Sequence, residues 1–229
     1  MERHFIKEMD DLKMTLLEMA AATRRAFEES TQAYLKRDAD RAQRVIDGDK
    51  KINDLELKID QIVLKLLALE QPMARDLRFI LGTTKISKEL ERIADQAVNI
   101  AERNLFLCQH PPLEHLPAME QLIDIAGDML EAAITSFVEE DTQKAIKIRQ
   151  MDDIADKYTL EVLQALIDTM VQSTPGAEKR ILNTRRSIQT IIISRCLERV
   201  GDLATNIGEH VAFIVKAINI KHQKVDFDK

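Results

Sequence analysis

The run Leu-Glu-Arg-Ile-Ala-Asp-Gln-Ala-Val-Asn-Ile-Ala-Glu from Leu90 to Glu102 returns from Leu197 to Glu209 as Leu-Glu-Arg-Val-Gly-Asp-Leu-Ala-Thr-Asn-Ile-Gly-Glu. Both copies place apolar residues at helical spacing and keep Glu, Asp, Asn and Glu in register, so the chain is built from two equivalent helical units. Other landmarks pair in the same way: Met19 with Met129, Phe27 with Phe137, Asp38 with Asp141, Pro72 with Pro175. Their spacing stays just above a hundred residues, and the small drifts fall in connections, where insertions are tolerated. With 6 Gly and 5 Pro in 229 residues, little interrupts the helices. Aromatic residues are 4% and Trp is absent, so the core is built from Leu, Ile, Val, Ala and Met, side chains suited to helix-on-helix packing.

The expected fold is therefore all-α: a tandem repeat of two three-helix bundles related by pseudo-two-fold internal symmetry. The first unit is read as residues 1–112 and the second as 113–229. In the first, Phe5, Met9, Leu12, Leu16, Met19, Thr23 and Phe27 recur every three or four residues along a helix reaching Leu35. Asp38 caps a second helix that Gln71-Pro72 breaks, and a third runs from about Ala74 to Leu107, stopped by His110-Pro111-Pro112. In the second, helices span Leu116 to Phe137, then from the Asp141 cap to Val171, then from after Ser173-Thr174-Pro175 to about Ile220. At about 1.5 Å per residue the third helices would be roughly 45 to 65 Å long, making the molecule elongated.

A net charge of −6 argues against a nucleic-acid surface, which relies on Lys and Arg to displace phosphate counterions. No window approaches the roughly 20 apolar residues of a spanning helix, so contact with a membrane is expected only through partners. The N-terminal Met1 to Glu8 lacks the apolar core of a secretory signal, and Cys108 and Cys196 suggest no disulfide framework, so the expected compartment is the cytoplasm.

The duplicated phrase carries the functional signal. On a wheel of about 100° per residue, Glu91, Glu102, Asp95 and Asn99 fall within roughly 80° of one another, opposite Ile93, Ala97 and Ile100. Glu198, Asp202, Asn206 and Glu209 repeat that stripe. The second helices add Asp49 with Asn53, and Asp152 with Asp156, each pair four residues apart on one face. In a three-helix bundle the two stripes can meet and form a cluster of carboxylate and amide oxygens, the donors that hard cations prefer. The candidate metal ligands are thus Asp49, Glu91, Asp95 and Asn99, and Asp152, Asp156, Glu198, Asp202 and Asn206. Acids at helical spacing ordinarily form only a solvated face. Their retention in both copies, while neighbouring positions drift, is what sets these apart.

Catalysis finds less support. Di-iron bundles use Glu-x-x-His, whereas Ala94 and Gly201 occupy the histidine positions after Glu91 and Glu198. His4, His110, His115, His210 and His222 are scattered and read as surface or terminal residues. No Gly-rich phosphate loop, nucleophile elbow or Cys-x-x-Cys pair occurs. Arg78 and Arg185 align and suit a phosphate or a partner carboxylate, the plainer reading being arginines paired to nearby acids. The chain is read as no enzyme; the alternative is a metal-binding helical bundle with a structural or metal-dependent enzymatic role.

The stretch Leu-Ala-Leu-Glu-Gln-Pro-Met-Ala-Arg-Asp-Leu-Arg-Phe-Ile at 67–80, with the doubled Leu-Glu-Arg-x-x-Asp pattern, resembles the PhoU family along essentially the whole chain. That family's hallmark, Glu/Asp-x-x-x-Asp on each third helix, reads here Glu91-x-x-x-Asp95 and Glu198-x-x-x-Asp202. The resemblance implies that these acids can hold a multinuclear cluster of iron or another divalent ion at the bundle surface. It also implies a cytosolic negative regulator of the phosphate-starvation response. Such an adaptor would join the ATPase subunit of a high-affinity phosphate transporter to a sensor histidine kinase. Two departures stand out: Ala94 replaces the glycine that Gly201 retains, and Asn53 stands where the second half has Asp156, so the first site is expected to bind metal more weakly. A homodimer is expected, closed two-fold symmetry being commonest.

Overall fold

The computed structural model describes residues 2–171 and 177–218, with side chains from 4 and 178 onward in the two stretches. Six helices follow in order: α1 (Glu2–Lys36), α2 (Ala39–Leu69), α3 (Ala74–Cys108), α4 (Pro117–Val138), α5 (Thr142–Val171) and α6 (Ala177–Lys216). Helices α1 to α3 pack mutually as one bundle and α4 to α6 as the second. The all-α tandem architecture expected from the repeat is the one observed. At about 1.5 Å per residue, α3 and α6 are roughly 50 and 60 Å long. The expected start of the last helix at Ser173-Thr174-Pro175, its continuation to Ile220, and His222 lie outside the described residues.

Both turns between the first and second helices of a bundle have the same chemistry. Arg37 (φ 52°) and Glu140 (φ 53°) adopt the left-handed conformation. Beyond them the Asp38 N–H donates to Ala33 O and the Asp141 N–H to Ser136 O, each at 2.9 Å, so the last carbonyls of the preceding helix are satisfied. Each aspartate then starts the next helix. Asp38 Oδ1 accepts from the Arg41 N–H at 2.9 Å, and Asp141 Oδ1 from the Gln143 N–H at 2.8 Å. One residue thereby closes one helix and caps another, which makes these turns short and rigid.

The apolar stripes converge on one continuous core. Leu12, Leu16, Met19, Ile59, Ile93 and Ile100 of the first bundle are contiguous with Leu122, Met129, Ile148, Val162, Leu197 and Val200 of the second. Continuity arises because α3 and α6 run against each other along their length, as extensively as any pair in the molecule. A smaller cluster, Ala33, Ala42, Val45, Ala97 and Ala101, lets α1, α2 and α3 approach closely near the Asp38 turn. Around the seam, Tyr34 of α1 neighbours Thr190 of α6 and Phe79 of α3 stacks on Phe137 of α4 at 6.1 Å. Burial pushes the Tyr34 phenol up to about 12, so it remains neutral.

Two arginines anchor the segment that joins the bundles. Arg37 donates to Leu107 O and His110 O at the end of α3. Buried Arg186 donates to Pro111 O and Pro112 O. The Pro-Pro segment stops α3 as its sequence requires, and its carbonyls are satisfied by guanidinium groups from remote helices.

Candidate functional site

Each acidic edge is built by the second and third helices of a bundle. These run antiparallel, so the start of α2 lies beside the later part of α3. Their buried faces contribute Ile52, Leu55 and Ile59, and Leu90 and Ile93, to one core, which leaves Asp49 and Glu56 facing Glu91 and Asp95. The carboxyls of Glu91 and Asp95 lie above the ordinary carboxylate range. Burial is the larger cause for both, followed by repulsion from the neighbouring acids, Asp95, Glu56 and Asp49 around Glu91 and Asp49 and Glu56 around Asp95. Asn53 Nδ2 donates to Asp49 Oδ2 at 2.8 Å, so in this arrangement the amide supports the acid by donating to it. The other oxygen, Asp49 Oδ1, is buried without a hydrogen-bond partner.

The second edge repeats the plan with more charge. Burial raises Asp152 first, then repulsion from Asp202, Asp156, Asp153 and Glu198, together lifting it to about 6. Asp202 is raised by burial and by Glu198 and Asp156, against the opposing pull of Arg199. Gly201 adjoins the cluster: a Cβ there would lie 3.2 Å from the Met129 thioether and 3.6 Å from Asp152 Oδ1. Each edge carries an ion-paired cation at an equivalent place. Lys88 reaches Glu56 at 3.5 Å and Arg195 reaches Glu198 at 2.5 Å.

The donor chemistry fits a hard divalent cation. Carboxylates that raise one another's pKa, beside an orphaned carboxylate oxygen, are what a bound cation would neutralise. No three His, Cys, Asp or Glu side chains among the described residues already converge to hold one. Ligation therefore requires rotation of side chains, for which the exposed Asp95, Asp156 and Asp202 have room.

One amide of the stripe, Asn206, sits at the seam between bundles. Asn206 neighbours Glu89 of α3 and borders a cavity of about 360 Å³ with Asp152, Asp202, Thr205, Arg92 and Arg199. Asn99 is half-buried at the equivalent place, and Glu102 turns outward to pair with Arg103 at 3.1 Å. A groove of about 390 Å³ between α1 and α2, floored by Ala22, Val45, Gly48 and Ile52, is lined by none of the duplicated acids.

Four residues depart from expectation or were not foreseen. His210 is a seam residue and not a surface one. It is 5% exposed, with Nε2 3.8 Å from Glu89 Oε1. Burial pushes Glu89 up, but the neighbouring His210, Arg92 and Asn206 outweigh it and hold the carboxyl low. Among the described residues Arg78 pairs with no acid: its Nε faces Ile214 O at 3.5 Å, at the end of α6, a carbonyl terminus that favours a cation. Exposed Arg185 makes no ion pair among the described residues. Glu56 joins the first acidic edge although no carboxylate matches it in the second, where Thr159 stands. Its signal was the seven-residue spacing from Asp49, which returns it to the same helix face.

The PhoU domain matches residues 16–103 and 119–211, one stretch in each bundle. The chain belongs to the PhoU family. Members of that family are regulators and not catalysts, in keeping with the reading of the chain as no enzyme. The chain is 32% identical over 219 residues to the phosphate-specific transport system accessory protein PhoU homolog of Aquifex aeolicus, covering 96% of each. It is 30% identical over 227 residues to the homolog of Pseudomonas aeruginosa, covering 96% of this chain and 88% of that protein. The crystal structure of PhoU from Pseudomonas aeruginosa superposes with a TM-score of 0.86 at 29% identity, over 93% of this chain and all of that one. That of the phosphate transport system regulatory protein PhoU from Streptococcus pneumoniae gives 0.83 at 25% identity, over 94% and 98%. Among the described residues no helix is long and apolar enough to cross a membrane.

Proposed function

We propose that the chain is a cytoplasmic regulatory adaptor of phosphate homeostasis that restrains the phosphate-starvation response and phosphate uptake. It would do so by coupling the ATPase subunit of a high-affinity phosphate transporter to a sensor histidine kinase, acting as a homodimer. Family membership supports the regulatory class. The observation that carries the adaptor reading is the duplication of the acidic edge, Asp49, Glu91 and Asp95 in one bundle and Asp152, Glu198 and Asp202 in the other. One rigid body presents the same charged surface twice, which suits a protein that holds partners together.

Within this reading the acidic edges take iron or another divalent ion, with Asp49, Glu91, Asp95 and Asn99 around one site and Asp152, Asp156, Glu198, Asp202 and Asn206 around the other. Metal would cancel like-charge repulsion and change the potential offered to a partner, switching affinity without turnover. The second edge should bind more tightly because Asp156 supplies a charge that Asn53 does not. Purified untagged protein should carry metal by elemental mass spectrometry, and Asp202→Ala should remove more of it than Asp95→Ala. Binding to the purified ATPase subunit and kinase should weaken at least tenfold in the double variant. Unchanged partner binding and no metal in any preparation would remove both roles from the edge.

A further inference from the structure

Next to each acidic edge lies a second duplicated feature that the metal and adaptor readings leave unused. Exposed large apolar side chains recur at equivalent positions: Leu57 with Leu160, Leu64 with Ile167 and Leu81 with Ile188. Their exposures, 59% and 65%, 68% and 39%, 40% and 45%, rule out a core role. Single exposed apolar residues are ordinary; Met14 on α1 is one, with Asp124 at its counterpart. Three recurring pairs on one composite face are not ordinary, because surface positions freed from packing should have drifted apart after duplication.

The placement is ordered along the helices. On α3, Leu81, Lys88 and Asp95 succeed one another at seven-residue steps, and on α6 Ile188, Arg195 and Asp202 do the same. Each line therefore reads apolar, cation, acid over about 20 Å, close to four helical turns. On the adjoining helix, Leu57 and Leu64 lie within roughly 80° of Asp49 and Asn53, and Leu160 and Ile167 hold the same relation to Asp152 and Asp156. Each bundle thus presents a strip with an acidic end and an apolar end, lying between its second and third helices. The acidic end carries a clear excess of carboxylates, with one paired cation on the line.

We propose that each strip is a docking site for an amphipathic helix of about four turns from a protein partner, with Lys or Arg at one end of its apolar face and aliphatic residues at the other. The chain then takes two such helices at once. Charge complementarity selects this occupant. An anionic lipid surface would meet the carboxylates with like charge, and a second copy would set acid against acid. The proposal rests on the adaptor reading only in requiring a protein partner.

The test uses the full-length protein treated with EDTA and a synthetic helical peptide with Leu on one face and three Lys at its C-terminal end, beside a control with Glu for Lys. Methyl NMR titration should shift Leu57, Leu64, Leu81, Leu160, Ile167 and Ile188 together, with two peptides bound per chain and at least tenfold weaker binding of the Glu control. Leu64→Ser with Ile167→Ser, both at exposed positions, should reduce affinity at least tenfold while leaving the unfolding midpoint unchanged. Shifts confined to the α1–α2 groove, equal binding of the Glu peptide, or no binding would overturn the proposal. So would tighter binding to anionic vesicles than to the peptide, or a dimer dispersed by the two serine substitutions. If the peptide fails while the transporter ATPase subunit still binds, the adaptor reading survives and the strip does not.

Discussion

Asp152 is the residue on which the acidic edge bears most heavily. Its folded pKa of about 6 stands above the 3.8 of a free aspartate, so the folded protein binds the extra proton between those values. The ionised group therefore opposes folding above pH 6, and the opposition fades as the pH falls toward 4. Asp152→Asn in metal-free protein should stabilise at pH 7.5 by on the order of 1 kcal/mol, solvent screening having reduced the larger figure the shift alone would imply. Urea unfolding should show that gain vanishing near pH 4; a gain that grew in acid would contradict the assignment. At the seam, His210 and Glu89 have Arg103 and Cys196 as their counterparts, and burial lifts the Cys196 thiol to about 11, leaving it neutral. His210→Ala should therefore cost about 1 kcal/mol, because the half-buried Glu89 carboxylate loses one neighbour but keeps its ion pair with Arg92, whereas Arg103→Ala should cost less. The acids were legible from their duplication, but this pair was not: its two members occur once each, on different helices, and nothing local marks them.

Helix boundaries were well marked, because the residues that end and start these helices act locally. Asp38, Asp141, Pro72 and the Pro111-Pro112 pair each work through their own backbone or the next few amides. The left-handed residues before the two caps were less visible, since neither Arg37 nor Glu140 is a glycine. Glycine at either place would relieve about 1 kcal/mol of backbone strain. Glu140→Gly should accordingly leave stability unchanged or slightly raised, its link to Arg75 being exposed. Arg37→Gly should lower stability by about 1–2 kcal/mol, because it also removes the guanidinium bonds to Leu107 O and His110 O. Calorimetric midpoints of the two variants should move in different directions or differ by several degrees.

The whole molecule depends on the α3–α6 seam. Gly82 sits where a Cβ would overlap the Ile214 side chain, so Gly82→Ala must push the helices apart or displace Ile214. A loss of about 1–3 kcal/mol is expected, partly recovered by Ile214→Ala in the same chain. Because both bundles share one core, thermal unfolding should be a single transition by circular dichroism and calorimetry in the parent protein. Two resolved transitions would show the bundles to be energetically separate.

Periodicity, caps and the doubled Leu-Glu-Arg-x-x-Asp phrase determined the helices, their pairing into two bundles and the acids on each third helix, since all of these follow from neighbours within a few turns. Glu56 lay within reach of the same reasoning but had no partner in the second copy to draw attention to it. Only the tertiary structure decided which faces of α3 and α6 meet. That contact turns His210 inward, sends Asn206 to Glu89 and brings Arg92 and Arg199 to one cavity. The physical reason is that an amphipathic pattern specifies which side of a helix avoids water, while the choice of partner depends on the fit between surfaces far apart in the chain.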